Sequence, residues 1–233
     1  IVSGSVVLIG GNPGAGKSTL LLQTVGRLCQ NHKVLYVTGE ESLQQVALRA
    51  NRLKIQANNI RIAAETSIDT ICEMASKESP EVLIVDSIQV MHVTGIESAP
   101  GSVSQVREGA AALTQFAKRT GIAVFMVGHV TKDGTLAGPK ILEHCVDCSV
   151  ILEAGTDMRY RTLRCQKNRF GAVNEIGVFA MTDTGLKEVK NPSAIFLNRQ
   201  DTVAPGSLAM VTWEGTRPLL VELQALVDLS LYS

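Results

Sequence analysis

Short apolar runs alternate with stretches of helical spacing over the first 140 residues. Residues 5–9, 34–37, 60–63, 82–85 and 123–127 read as strands. The runs 82–85 and 123–127 are apolar throughout, as strands buried on both faces are. Residues 17–29, 42–53, 67–77 and 103–119 have the spacing of amphipathic helices, and Ser42 and Ser67 stand where caps are needed. Residues 88–101 show no clear period and carry Gly95, Pro100 and Gly101; residues 131–139 are polar and contain glycine. This alternation predicts an α/β fold, a mostly parallel sheet flanked by helices with right-handed crossovers. After Lys140 the pattern changes. Residues 146–152, 160–165, 175–180 and 186–189 read as strands joined by short turns, predicting antiparallel hairpins that extend the sheet. Residues 208–213 and 219–226 pair around Gly215-Thr216-Arg217-Pro218. The expected division is one domain over 1–190, then a linker and hairpin over 191–233.

Composition narrows the class. Of 233 residues, 45% are hydrophobic but only 4% aromatic, so the core must be built mainly from Val, Ile, Leu and Ala. No apolar run approaches the ~20 residues of a membrane span, and no segment reads as a signal peptide. Lys+Arg and Asp+Glu are 22 each. The charge balance therefore does not advertise nucleic acid, although local cations in an oligomer could still bind it. Five cysteines without a secretory signal point to a reducing cytoplasm. Cys145 and Cys148 have CxxC spacing but no second ligand pair, which favours buried thiols over a metal or redox site. The chain starts at Ile1, which predicts a piece of a longer protein.

The chemistry begins at Gly11-Asn12-Pro13-Gly14-Ala15-Gly16-Lys17-Ser18, with Thr19 next, between a strand and a helix. It fits G-x-x-x-x-G-K-[ST] at every position. Such a loop turns backbone N–H groups around phosphates and places them at a helix N-terminus. It predicts ATP and Mg²⁺ as cofactors, with Lys17 on the β- and γ-phosphates and Ser18 on the metal. Asp86 ends an apolar strand, where a carboxylate that helps Ser18 hold Mg²⁺ is expected. Glu40 and Glu41 follow the strand 34–37, which is expected to neighbour the phosphate-loop strand. One of the two is expected to activate water; Glu40 is the choice, and both could instead simply open the next helix. His129 ends another buried strand and can sense a γ-phosphate.

These residues resemble the bacterial RadA (Sms) family. The resemblance rests on Gly11–Ser18, Gly39-Glu40-Glu41-Ser42, Asp86-Ser87-Ile88-Gln89-Val90, Gly128-His129-Val130-Thr131-Lys132-Asp133-Gly134 and the pentapeptide Lys167-Asn168-Arg169-Phe170-Gly171. It implies a RecA-like P-loop NTPase fold. It also implies a hexameric ring motor acting on single-stranded and branched DNA in recombination and repair, with RecA as a candidate partner. By the same resemblance Glu40 is the catalytic glutamate and His129 the γ-phosphate sensor. Lys167 and Arg169 reach a neighbouring subunit's ATP, and residues 91–101 and 131–140 form two central DNA-binding loops. The family's amino-terminal zinc module has no counterpart here, and residues 208–225 could open its Lon-protease-like domain.

On the residues alone, Lys167 and Arg169 project together if the chain bends at Asn168. A solvated basic turn is the alternative. Lys132, Lys140 and Arg107 are candidate DNA contacts, or else ordinary surface charges. Neither loop has an aromatic residue, so base stacking is not indicated. The competing function is a RecA-fold ATPase switch acting on a protein partner.

Overall fold

The computed structural model describes residues 1–56, 59–129, 142–155, 159–173, 175–193, 197 and 206–225. The predicted loop 131–140, with Lys132 and Lys140, lies outside the described residues. The strands are β1 (Val6–Gly11), β2 (Val34–Thr38), β3 (Ile60–Ala64), β4 (Val82–Asp86), β5 (Ala123–His129), β6 (Cys148–Ala154), β7 (Tyr160–Asn168), β8 (Ile176–Thr182), β9 (Gly185–Glu188), β10 (Ser207–Glu214) and β11 (Arg217–Gln224). The helices are α1 (Lys17–Leu28), α2 (Leu43–Arg52), α3 (Ile68–Glu78) and α4 (Val103–Thr120).

Nine strands form one sheet in the order β3-β2-β4-β5-β1-β6-β7-β8-β9. The pairings from β3 to β6 are parallel, and those from β6 to β9 are antiparallel. Two expectations need correction. β2 does not neighbour the phosphate-loop strand: β4 and β5 stand between it and β1. The strand after residue 146 is not antiparallel at its inner edge, because β6 first pairs parallel to β1 and only then receives β7. Both follow from sheet order, which apolar patterning does not encode.

Alternation sorts the strand side chains onto two cores. Leu35, Val37, Leu83, Val85, Val124 and Met126 join α3 and α4 on one face. Val34, Tyr36, Val82, Ile84, Phe125 and Val127 join α1 and α2 on the other. Burying each such side chain contributes about 1.5–3 kcal/mol relative to exposure. The helix starts follow the sequence. Ser42 caps α2 with a reciprocal bond from Gln45, and Ser67 and Ser102 cap α3 and α4. β10 and β11 make a separate two-stranded sheet, touching the main body where Thr216 donates to Glu175.

Candidate nucleotide site

Four adjacent strands, β2-β4-β5-β1, each deliver one chemical group at their carboxyl ends. β1 runs into the phosphate loop, β5 ends at His129, β4 ends at Asp86, and Glu40 follows β2. The loop closes through glycine geometry: Gly14 and Gly16 have φ of 77° and 102°, left-handed values that cost other residues energy. Gly16 also caps α1 with no side-chain hydrogen bond. The amides of the first helical turn therefore have no intrahelical partner and suit an anion.

Lys17 is buried. Its Nζ donates to the carbonyls of Gly11 (2.7 Å) and Asn12 (3.0 Å) and lies 3.1 Å from His129 Nδ1. Burial lowers its pKa, opposed by the charges of Asp86 and Glu40. With Lys17 donating to Nδ1, the ring proton of His129 sits on Nε2 and faces Glu40 Oε1 at 3.3 Å. Ser87 Oγ donates to the same carboxylate oxygen. The His129 bond, followed by that of Ser87 and the nearby positive charge, overcomes partial burial and holds the Glu40 pKa down at about 2. Glu41 points elsewhere: it pairs with Arg49 on α2, and its N–H donates to Thr38 Oγ1.

Asp86 is buried, and its Oδ2 accepts a 2.5 Å bond from the Tyr36 hydroxyl. Burial and then Asp86 push the Tyr36 pKa far up, so the phenol remains a donor. Asp86 Oδ1 has no hydrogen-bond partner among the described residues. A fixed carboxylate with one oxygen unbonded among the described residues, together with the half-buried Ser18 that opens α1, is a donor set that fits Mg²⁺.

A family model described as "AAA domain" matches residues 1–135, more than half of the chain. The chain belongs to this AAA domain family. The chain is also 66% identical over 231 residues to the DNA repair protein RadA of Escherichia coli (strain K12), covering 99% of this chain and 50% of that one. It is 50% identical over 229 residues to RadA of Bacillus subtilis (strain 168), covering 98% and 50%. The chain thus spans about half the length of the curated relatives it matches. Among solved structures, the KaiC-like protein PH0186 of Pyrococcus horikoshii OT3 superposes with a TM-score of 0.67 at 17% identity, over 80% of this chain and 90% of that one. That likeness gives the fold alone, a P-loop NTPase sheet.

Elsewhere in this AAA chain, Lys167 and Arg169 stand at the opposite end of the sheet from Lys17. Lys167 Nζ donates to the Glu143 carbonyl, and Arg169 lies 3.2 Å from Asp147 Oδ1. The bend considered at Asn168 comes one residue later: β7 continues through Asn168, and the turn begins at Arg169. Arg107 is exposed on α4 and pairs with Glu108. Residues 91–101 contain no Lys or Arg. They are held by Gln105, which accepts from the Val93 N–H and donates to the Ile96 and Ser98 carbonyls. Cys145 and Cys148 are half-buried, not buried. No cluster that could hold a metal through His, Cys, Asp and Glu occurs among the described residues. No described helix is long and apolar enough to cross a membrane, which says nothing of β-barrels.

Sequence reasoning missed three residues. Ser87 was visible only as a motif member, Tyr36 as a strand residue, and Asp147 as part of a CxxC segment. Their roles depend on partners 47, 50 and 141 positions away, and no local pattern reports such contacts.

Proposed function

We propose that the chain is the ATP-hydrolysing core of a DNA-repair motor. In this reading residues 1–190 are the ATPase domain and 191–233 a linker and hairpin, acting in the cytoplasm, where the DNA is. The observation that carries the ATPase reading is the linked row Lys17–His129–Glu40–Ser87 beside Asp86. Lys17 would exchange its loop carbonyls for the β- and γ-phosphates. The amides of Gly14, Gly16, Lys17, Ser18 and Thr19 would hold the remaining oxygens. Ser18 and Asp86 would hold Mg²⁺, which when bound offsets phosphate charge. Glu40 would orient the attacking water and accept its proton as the γ-phosphoryl group leaves ADP. His129 touches both Lys17 and Glu40, so it can report whether a γ-phosphate is present. Glu41 is tied to Arg49, which supports Glu40 as the base.

The DNA part rests on the RadA relatives, which are DNA repair proteins. Lys132, Lys140 and Arg107 would meet phosphates in a ring's centre, and Lys167 and Arg169 would reach a neighbour's ATP in a hexamer. ATP turnover measured with and without single-stranded DNA tests this reading. The expected result is stimulation that weakens as salt rises. Equal turnover and no DNA binding at low salt would turn the reading to a switch acting on a protein.

A further inference from the structure

The antiparallel extension forms a wall against the phosphate loop. Ala15 is buried with Leu152 of β6 and Leu186 of β9, with Met181 of β8 packed on the same cluster. The Gln23 side chain on α1 is bonded to both the N–H and the carbonyl of Leu186. A Cβ on Gly16 would stand 2.7 Å from the Met181 methyl carbon. Within this wall lies a cation that the ATPase mechanism does not use. Arg161, near the start of β7, is 4% exposed. Its Nε donates to the Ala15 carbonyl at 2.9 Å, and one terminal nitrogen donates to the Tyr160 carbonyl at 2.9 Å.

We infer that Arg161 is a positioning residue for phosphate binding, acting on the loop through the Ala15 carbonyl without touching nucleotide. This rests on the nucleotide-site reading above. The Ala15–Gly16 peptide is trans, since the one cis bond among the described residues is Asp86–Ser87. In a planar trans peptide the carbonyl and the following N–H point in opposite directions. Holding the Ala15 oxygen toward β7 therefore aims the Gly16 N–H away from β7, toward the concave side of the loop. The Ala15 N–H is itself fixed, donating to Asn12 at 3.1 Å, so the peptide units on both sides of Ala15 are constrained. A guanidinium also keeps its charge at all working pH values. A hydrogen bond from a charged donor is roughly twice as strong as one between neutral groups. A neutral donor at 161 would hold the Ala15 carbonyl less firmly.

The test compares Arg161→Gln and Arg161→Lys with the unaltered chain. It reads ATP affinity by fluorescent-nucleotide displacement, the split between KM and kcat, and the melting-temperature gain on adding inorganic pyrophosphate. The expected result is an ATP Kd raised about tenfold in Arg161→Gln, on the scale of a lost charge-assisted hydrogen bond. KM should rise with kcat little changed, and the pyrophosphate gain should shrink. Arg161→Lys keeps the charge and should recover part of each. Wild-type ATP affinity in a folded Arg161→Gln chain overturns the inference, as does an equal loss in kcat and KM with pyrophosphate protection intact. If Arg161→Gln does not fold, Arg161→Lys decides: weaker ATP binding than wild type supports the inference, and unchanged binding overturns it. Lys17→Ala serves as the separate control. If it binds ATP normally, the nucleotide-site reading fails whatever Arg161 does.

Discussion

The two ends of the sheet hold cations in opposite ways. At the carboxyl ends of β1, β5, β4 and β2, Lys17 is buried and held by neutral carbonyls, with Asp86 and Glu40 nearby. At the other end, Asp147 is a buried carboxylate that collects Lys118 and Arg169, two half-exposed cations, and the Val6 N–H. The first arrangement is ready to exchange partners, because a triphosphate is a better acceptor than two carbonyls. The second is neutralised and closes the base of β1. Val6 to Gly11 is five strand steps, roughly 16 Å. Arg169 beside Val6 therefore stands a strand's length from its own phosphate loop. Acting on ATP would require a neighbour's site, which is the physical case for a finger supplied in trans.

Breaking the Lys17 end should have the largest effect. Lys17→Ala is expected to abolish ATP binding and turnover together, read by nucleotide fluorescence and phosphate release. Next, Arg169→Ala should slow turnover by about 10³-fold, the scale of a transferred finger, while ATP affinity stays near wild type. Mixing it with Lys17→Ala chains should restore some turnover. Absence of rescue in an assembled sample would return Arg169 to a purely structural role beside Asp147. Glu40→Gln should cost about 10²-fold or more in turnover, with ATP still bound, whereas Glu41→Gln should cost far less.

A smaller effect separates His129 from Glu40. With a pKa of about 2, Glu40 is ionised throughout the neutral and mildly acid range. Because that value is depressed, the associated stability is fully present above the unfolded-state pKa and is lost only as pH falls toward about 2. Replacing His129 by Ala removes the largest cause. The Glu40 pKa then rises toward the ordinary value of about 4.3, and the acid limb of the pH–rate profile should move up. The smallest effect belongs to the other end. Asp147→Asn leaves Lys118 and Arg169 without a counter-charge. Since both cations are half-exposed, the expected loss is about 1–2 kcal/mol in chemical denaturation. Burial raises the Asp147 pKa, but Lys118, the Val6 N–H and Arg169 outweigh it and leave it lowered. That contribution should fade in acid, as pH drops below the unfolded carboxylate range and then through the folded value.

The strands that bear the site were legible because apolar runs such as Val82–Asp86 and Ala123–His129 end at a polar residue. The phosphate loop was legible because its eight residues are contiguous and the chemistry is local. Which of two adjacent acids joins the His129–Lys17 row was not legible, because Glu41 is tied to Arg49 eight positions on and Glu40 to His129 across β4. Nor was the neighbour of β2, since patterning predicts burial and not order.

The sequence by itself determined the phosphate loop, the caps on α2 and α3, and the class of sheet, because each depends on residues within a few positions of one another. Tertiary structure alone decided that Glu40 meets both Ser87 and His129, that Asp147 and Arg169 pair at the far end, and that Arg161 lies behind Ala15. Those contacts join residues 22 to 146 positions apart, and strand order in the folded sheet, not local propensity, brings them within reach.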